Sequence, residues 1–293
     1  MLYGLICRYH LRSGNRSFRQ TQLDLFGTAG AKKYYLGLPN NLATLVHKFP
    51  FGSSLTINQL LQKHTLFPYY RTFLTPREVK RLQELMEGKE SKSIAQVARI
   101  PKLRLYHPEY LQFCPQCLKE DLQQYGETYW HRLHQVAGIK VCLTHEVGLQ
   151  NSKVLVSEMG KVFVAADEEN CVGNGVSYDE AILLKLGEFG RVIERKMSHK
   201  GSFPGLKSLR DGYKEDLMKL SLTEERLAEA MLDRYGEEVL RIIHPEMMES
   251  LGEYVWGCLL GCDLLAEVDR VVYWLIEGIF VGLVQYILNK LDA

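Results

Sequence analysis

"CPQCLKEDLQQYGETYWHRLHQVAGIKVCLTH", residues 114–145, decides how this chain is read. The full sequence has seven cysteines and nine histidines, and this stretch carries Cys114, Cys117 and Cys142 with His131, His134 and His145. Cys114-Pro-Gln-Cys117 is a knuckle, and Cys142-Leu-Thr-His145 is a second one ending in His. Two intervening residues let a tight turn aim both donor atoms at one point. Four such donors suit a tetrahedral zinc ion. The 24 residues between the knuckles exceed the usual ribbon spacer and leave room for a helix. A rival set, Cys114, Cys117, His131 and His134, imitates a Cys2His2 finger, with both histidines on one helix face. Its His spacing is shorter than the usual three to five residues, and it strands Cys142 and His145. The Cys3His set is therefore preferred. It leaves His131 and His134 as helix-face residues that pack or touch a partner.

Four protein donors with three thiolates close the shell, so the zinc is expected to be structural and the chain no enzyme. Glu127 and His131 are the nearest acid–base pair. His107-Pro-Glu109 precedes the knuckle as the deaminase pattern requires, but too closely for the separate helix that site uses. The sequence shows no phosphate-binding glycine loop, nucleophile elbow or paired-carboxylate motif.

The chain has 293 residues, 46% of them hydrophobic, and a net charge of +1. That near-neutrality conceals a division. Residues 1–110 carry 17 Lys/Arg against 6 Asp/Glu, and residues 111–293 carry 19 against 29. A basic front attracts phosphate or an acidic protein face, and an acidic back repels nucleic acid. Met1 leads into "LYGLICRYH", an apolar run too short for a signal peptide. The odd number of cysteines, grouped with one another or with His, points to a reducing compartment rather than a disulfide framework. "VVYWLIEGIFVGLVQYIL" (271–288) approaches spanning length, but Glu277 sits within it. A charge at the bilayer centre costs about 3 kcal/mol on insertion scales, so a buried or partner-facing helix is expected and no membrane span.

The fold class read from this pattern is mainly α. A basic helical N-terminal domain takes residues 1–110, a small zinc-ribbon-like module 111–150, and an acidic helical domain 151–293. Ser17 with Gln20 opens a short helix that Gly27 ends. Asn40 or Asn41 opens another, and Thr56 a third. Thr75, Pro76 and Glu78 form the clearest start, with Val79, Leu82, Leu85 and Met86 as its apolar stripe and Gly88 at its end. "KVLVSEMGKVFVA" (153–165) suggests a small hairpin, and "ADEENCVGNG" a linker. A helix is expected from Ser177, with Glu180 as its box partner. "LKSLRDGYKEDLMKL" and "TEERLAEAMLDRY", joined by Ser221 and Leu222, resemble a helix-turn-helix. The second helix carries Glu224, Glu225, Glu229 and Asp233 against Arg226 and Arg234, a poor surface for phosphates. A purely structural helix pair is the better reading.

Several motifs in order resemble one family: "RYHLRSGNRS" (8–17), "HTLFPYYRTFL" (64–74) and "FCPQCLKEDLQQYGETYWHRLHQ" (113–135). They are similar to the TniQ/TnsD family of transposon target-site selectors, strongly over about residues 1–150 and weakly near "YGEEVL" (235–240). The resemblance implies a structural zinc on Cys114, Cys117, Cys142 and His145. It also implies a DNA-transposition adaptor that reads a target and recruits a TnsC-like AAA+ ATPase regulator. Longer members bind a fixed attachment site through DNA-binding domains. Shorter, TniQ-like members of CRISPR-associated transposons dock on Cascade with its guide RNA. The acidic C-terminal half and the length favour the shorter branch, in a prokaryotic cytoplasm; the sequence-specific DNA-binding selector is the alternative. Arg8, Arg12, Arg16, Arg19, Lys32 and Lys33 are the expected contacts to the ATPase or to target DNA nearby. Tyr9 and His10 are expected to pack, and Tyr125, Tyr129 and Trp130 to form the core beside the zinc. The apolar C-terminal helix is expected to serve a homodimer or the effector.

Overall fold

The computed structural model describes residues 1–28, 37–49, 54–90, 93–98, 100, 108–159, 161–173, 176–219, 223–260 and 275. Lys32, Lys33, the Ser221–Leu222 turn and all of 271–288 except Leu275 lie outside the described residues. The described part is mostly helical, as the sequence implied.

The N-terminal helices are α1 (Leu2–Ser13), α2 (Phe18–Phe26), α3 (Leu42–Lys48), α4 (Ile57–Gln59, running into a π-turn at Leu60–His64), α5 (Phe67–Arg71), α6 (Pro76–Glu87) and α7 (Ile94–Val97). Side-chain capping sets three of their starts, those of α2, α4 and α6. The Ser17 hydroxyl accepts from Gln20 N, and Gly27 closes α2 in the left-handed conformation, where a Cβ is disfavoured. Thr56 with Gln59 and Thr75 with Glu78 both form complete capping boxes. Leu82, Leu85 and Met86 of α6 are buried. Replacing Thr75 with Ala should remove one cap and cost about 1 kcal/mol of stability, readable by denaturant unfolding.

α1 has no counterpart in the sequence reading. Leu2, Tyr3, Ile6 and Cys7 form its buried stripe. Gly4 is where α1 meets the knuckle region: a Cβ there would sit 3.2 Å from Trp130 N. His10 packs, as expected, edge-on to Phe163 and with Nδ1 2.7 Å from the Thr21 hydroxyl. Tyr9 is 37% exposed.

The expected hairpin at 153–165 does not form. β1 (Tyr110–Phe113) pairs antiparallel with β2 (Gln150–Leu155), in register Tyr110↔Leu155, Gln112↔Asn151 and Phe113↔Gln150, with an irregularity between Tyr110 and Gln112. Pairing followed the pleated surface available across the metal loop rather than the nearest turn, because strand preference is set by neighbours. After β2 the chain makes a single 3-10 turn (Val156–Glu158). The expected linker is tied down: the Asp167 carboxylate accepts from Asn170 N at 2.9 Å, and Asn170 O accepts from Lys153 N at 2.9 Å.

Between the strands lies α8 (Pro115–Tyr125); after them come α9 (Glu180–Ser198), α10 (Leu206–Lys219), α11 (Glu224–Tyr235), α12 (Glu237–Ile243) and α13 (Leu251–Leu260). α9 starts two residues later than expected, with Asp179 and not Ser177 at its cap. Residues 176–178 are held against the second knuckle instead: a Cβ at Gly148 would lie 3.0 Å from Val176 O and 3.2 Å from the Tyr178 ring. α9 lies on the metal module, and Gly190 lets it approach, since a Cβ there would meet Leu143 at 2.8 Å. Its other neighbours include α5 and α12. The helix-turn-helix-like pair packs as structure: α10 and α11 both pack on α13. Leu227, Met231 and Tyr235 of α11 face inward, while Glu225, Arg226, Glu229, Asp233 and Arg234 are exposed. Among the described residues, no helix is long and apolar enough to cross a membrane.

Candidate metal centre

The two knuckles meet. Cys114 ends β1's run and caps α8, its sulfur accepting from Cys117 N at 3.5 Å. A helix N-terminus beside a sulfur favours the thiolate. The second knuckle is a tight turn. Cys142 N donates to Val147 O at 2.8 Å, Glu146 N donates to Cys142 O at 2.8 Å, and Glu146 adopts a left-handed φ of 55°. Val141 and Gly148 form an antiparallel bridge beneath it.

His145 Nδ1 lies 3.3 Å from Cys117 Sγ and 3.5 Å from both Cys114 Sγ and Cys142 Sγ. Cys117 Sγ lies 3.6 Å from Cys142 Sγ. A tetrahedral shell with metal–sulfur bonds near 2.3 Å and metal–nitrogen bonds near 2.05 Å has edges of about 3.8 Å and about 3.6 Å. The four donors therefore sit almost at the corners of a closed shell, and the three cysteines are buried. Such a cluster can hold a metal ion. His145 Nε2 lies 2.9 Å from Glu120 Oε1, the carboxylate that orients a ligating imidazole. Glu120, more than Cys142, raises the His145 pKa above the usual imidazole value. Contacts from Cys114 and Cys117 hold the Cys142 thiol low, whereas Cys114 and Cys142 push Cys117 up. Three touching sulfurs cannot all ionise without a cation among them, and an ion removes that conflict. Among the described residues, all five cysteines are free thiols.

His131 and His134 do not lie on one helix, contrary to expectation. His131 lies in irregular chain, and His134 sits in a single 3-10 turn (Leu133–Gln135). The rings still stack, with centroids 4.8 Å apart, and Tyr129 stacks on His131 at 4.4 Å. Asp121 Oδ2 is 2.8 Å from His131 Nε2. Burial lowers the pKa of His134. Trp130 is the fully buried core residue expected here, but Tyr125 is 53% exposed. The α8 end that carries Tyr125 faces outward, because Gly126 reverses the chain there.

The sequence reading passed over Gln135 and weighed Glu127 only as half of an acid–base pair with His131. The Gln135 amide donates to Gln112 O at 2.6 Å and accepts from Gln112 N at 3.0 Å. It thereby pairs the free edge of β1 as a strand would. Gln135→Ala should leave two buried backbone groups unpartnered and cost about 2–3 kcal/mol, with faster hydrogen exchange along β1 as the local readout. Glu127 collects two of the expected contact residues: Arg8 pairs with one carboxylate oxygen and Arg12 with the other, at 2.8 Å. Arg16 and Arg19 are exposed and make no ion pair among the described residues.

A family model named TniQ matches residues 1–149, which takes in α1 through the second knuckle. The chain belongs to the TniQ family. It is also similar to the transposon Tn7 transposition protein TnsD of Escherichia coli, 25% identical over 145 residues. That match covers 50% of this chain and 28% of the relative. The TniQ match contains all four converging donors, so the metal centre falls inside the shared region.

Proposed function

We propose that this chain is a non-enzymatic target-selection adaptor in DNA transposition. One surface meets an RNA-guided Cascade effector at the target, and another meets an AAA+ transposition regulator. TniQ membership supports the transposition role. One observation favours a protein–RNA target over bare duplex: the exposed face of α11 is acidic where a reading helix would need cations. The bound metal is zinc, held by Cys114, Cys117, Cys142 and His145 as a structural ion. The donor set is three thiolates and one imidazole, which suits zinc and leaves no open position for water. Exposed Arg16 and Arg19, with Lys32 and Lys33, are the residues assigned to the regulator or to DNA beside it. Arg8 and Arg12 belong to the same set, and they also pair with Glu127 of the metal module.

The experiment is a pull-down of the tagged chain with the effector and the regulator, with and without DNA. Co-purification of both, and weak salt-sensitive binding to bare duplex, is expected. Tight binding to one duplex sequence, with a steep salt dependence and no effector capture, would establish the fixed-site selector instead.

A further inference from the structure

Among the described residues, one further group of metal-ligating side chains exists, and it shares an atom with the first. Cys117, His131 and His134 place a sulfur and two ring nitrogens within 4.8 Å of one another. Cys117 Sγ, 3.3 Å from His145 Nδ1, is also 3.8 Å from His134 Nε2. That second distance is close to a tetrahedral sulfur–nitrogen edge of about 3.6 Å. The stacked arrangement of Tyr129, His131 and His134 holds both imidazoles nearly parallel, with 24° between the histidine planes. Asp121 fixes the His131 ring, as a carboxylate does beside a ligating imidazole. Asp121 is 4% exposed, so this is a built contact and not a surface encounter. A cleft of about 410 Å³ opens at this point, lined by Asp121, Tyr129, His131 and His134 with Cys117 at its base. It supplies an entry path for an ion.

We propose that Cys117, His131 and His134 form a second, weaker divalent-cation site, with the Cys117 thiolate bridging it to the ion of the four-donor centre. The inference rests on the Cys3His reading of that first centre. One sulfur and two imidazoles are a borderline-soft set, suited to zinc and its neighbours rather than to magnesium or calcium. The site is weaker for three reasons. It has three protein donors, one of them shared. Its sulfur–nitrogen separation of 3.8 Å at His134 exceeds the tetrahedral edge of about 3.6 Å, so the ring must draw in as the ion enters. The cleft also leaves it open to water and to competing chelators. Occupancy would tie residues 129–134 to α8 and stiffen the surface that carries Tyr129 and Arg132.

The test uses the purified, dialysed chain and zinc alone. Native mass spectrometry should show one retained ion, and titration against a chromophoric chelator should show a second, micromolar uptake. His131→Ala and His134→Ala should each weaken the second uptake at least tenfold and keep the first ion. Cobalt added to the zinc-loaded chain should give a single-thiolate charge-transfer band that His134→Ala abolishes. No second ion at excess zinc in the unaltered chain would overturn the proposal, and so would equal uptake by both variants. In either case His134 would be only an N–H donor to the sulfurs of the first ion. Loss of the first ion in His134→Ala is a different failure. It would overturn the Cys3His assignment itself, and the bridged site with it.

Discussion

Cys117→Ser should empty the metal centre and unfold the segment from Tyr110 to Leu155. Serine keeps the size of the side chain but offers no thiolate at neutral pH. The sulfur it replaces lies 3.3 Å from His145 Nδ1 and 3.6 Å from Cys142 Sγ, two of the other three donors. Structural zinc in small domains supplies about 10–16 kcal/mol of apparent binding free energy, comparable with the whole stability of a domain. Beyond the donors, the local structure rests on Trp130, the Gln135 pairing and the packing of α9. The two strands share few residue pairs, and isolated two-stranded pairs are marginal in water. The expected readings are zinc falling from one per chain to near zero and loss of hydrogen-exchange protection over 110–155. Metal content and melting unchanged from the parent would refute the ligand assignment. Removing zinc from the parent with a strong chelator should reproduce the same pattern.

Trp130→Ala should be the most costly change that leaves the donors untouched. Trp130 is 1% exposed, and its Nε1 donates to Val164 O at 2.9 Å. Its backbone carbonyl accepts from the Met1 amine at 2.9 Å, and α1 packs on it at Gly4. Truncation leaves a large void and strands the Val164 carbonyl. The expected loss is about 3–5 kcal/mol by denaturant unfolding. Trp130→Phe should cost less, because it fills most of the void and loses only the hydrogen bond. Zinc should remain bound in both, which separates core packing from ligation.

What the sequence disclosed depended on how local the responsible physics was. α6 was legible to the residue because Thr75, Pro76 and Glu78 act within one turn. The four donors were legible because each knuckle is a four-residue turn with its own geometry. α1 escaped notice because its stripe of Leu2, Tyr3, Ile6 and Cys7 is short, uncapped by any side chain, and buried only by distant partners such as Trp130. β1 escaped for a similar reason: four residues whose partner lies across the metal loop carry no turn signal. The late start of α9 reflects Gly148, which draws residues 176–178 onto the module and away from the helix. His131 and His134 were expected on the face of a helix, packing or touching a partner; they stack with Tyr129 beside Cys117 instead, a contact between rings that no local pattern announces.

The pairing of Tyr110 with Leu155 has a mechanical consequence. These residues are where the chain enters and leaves the metal module, side by side at the open end of the ladder. Tension between the flanking helical parts would arrive there first. It would peel the strands one rung at a time from Tyr110 toward Phe113 before any load reached the sulfurs. A chain pulled from both sides of the module would thus yield at a zipper and spare the donor cluster.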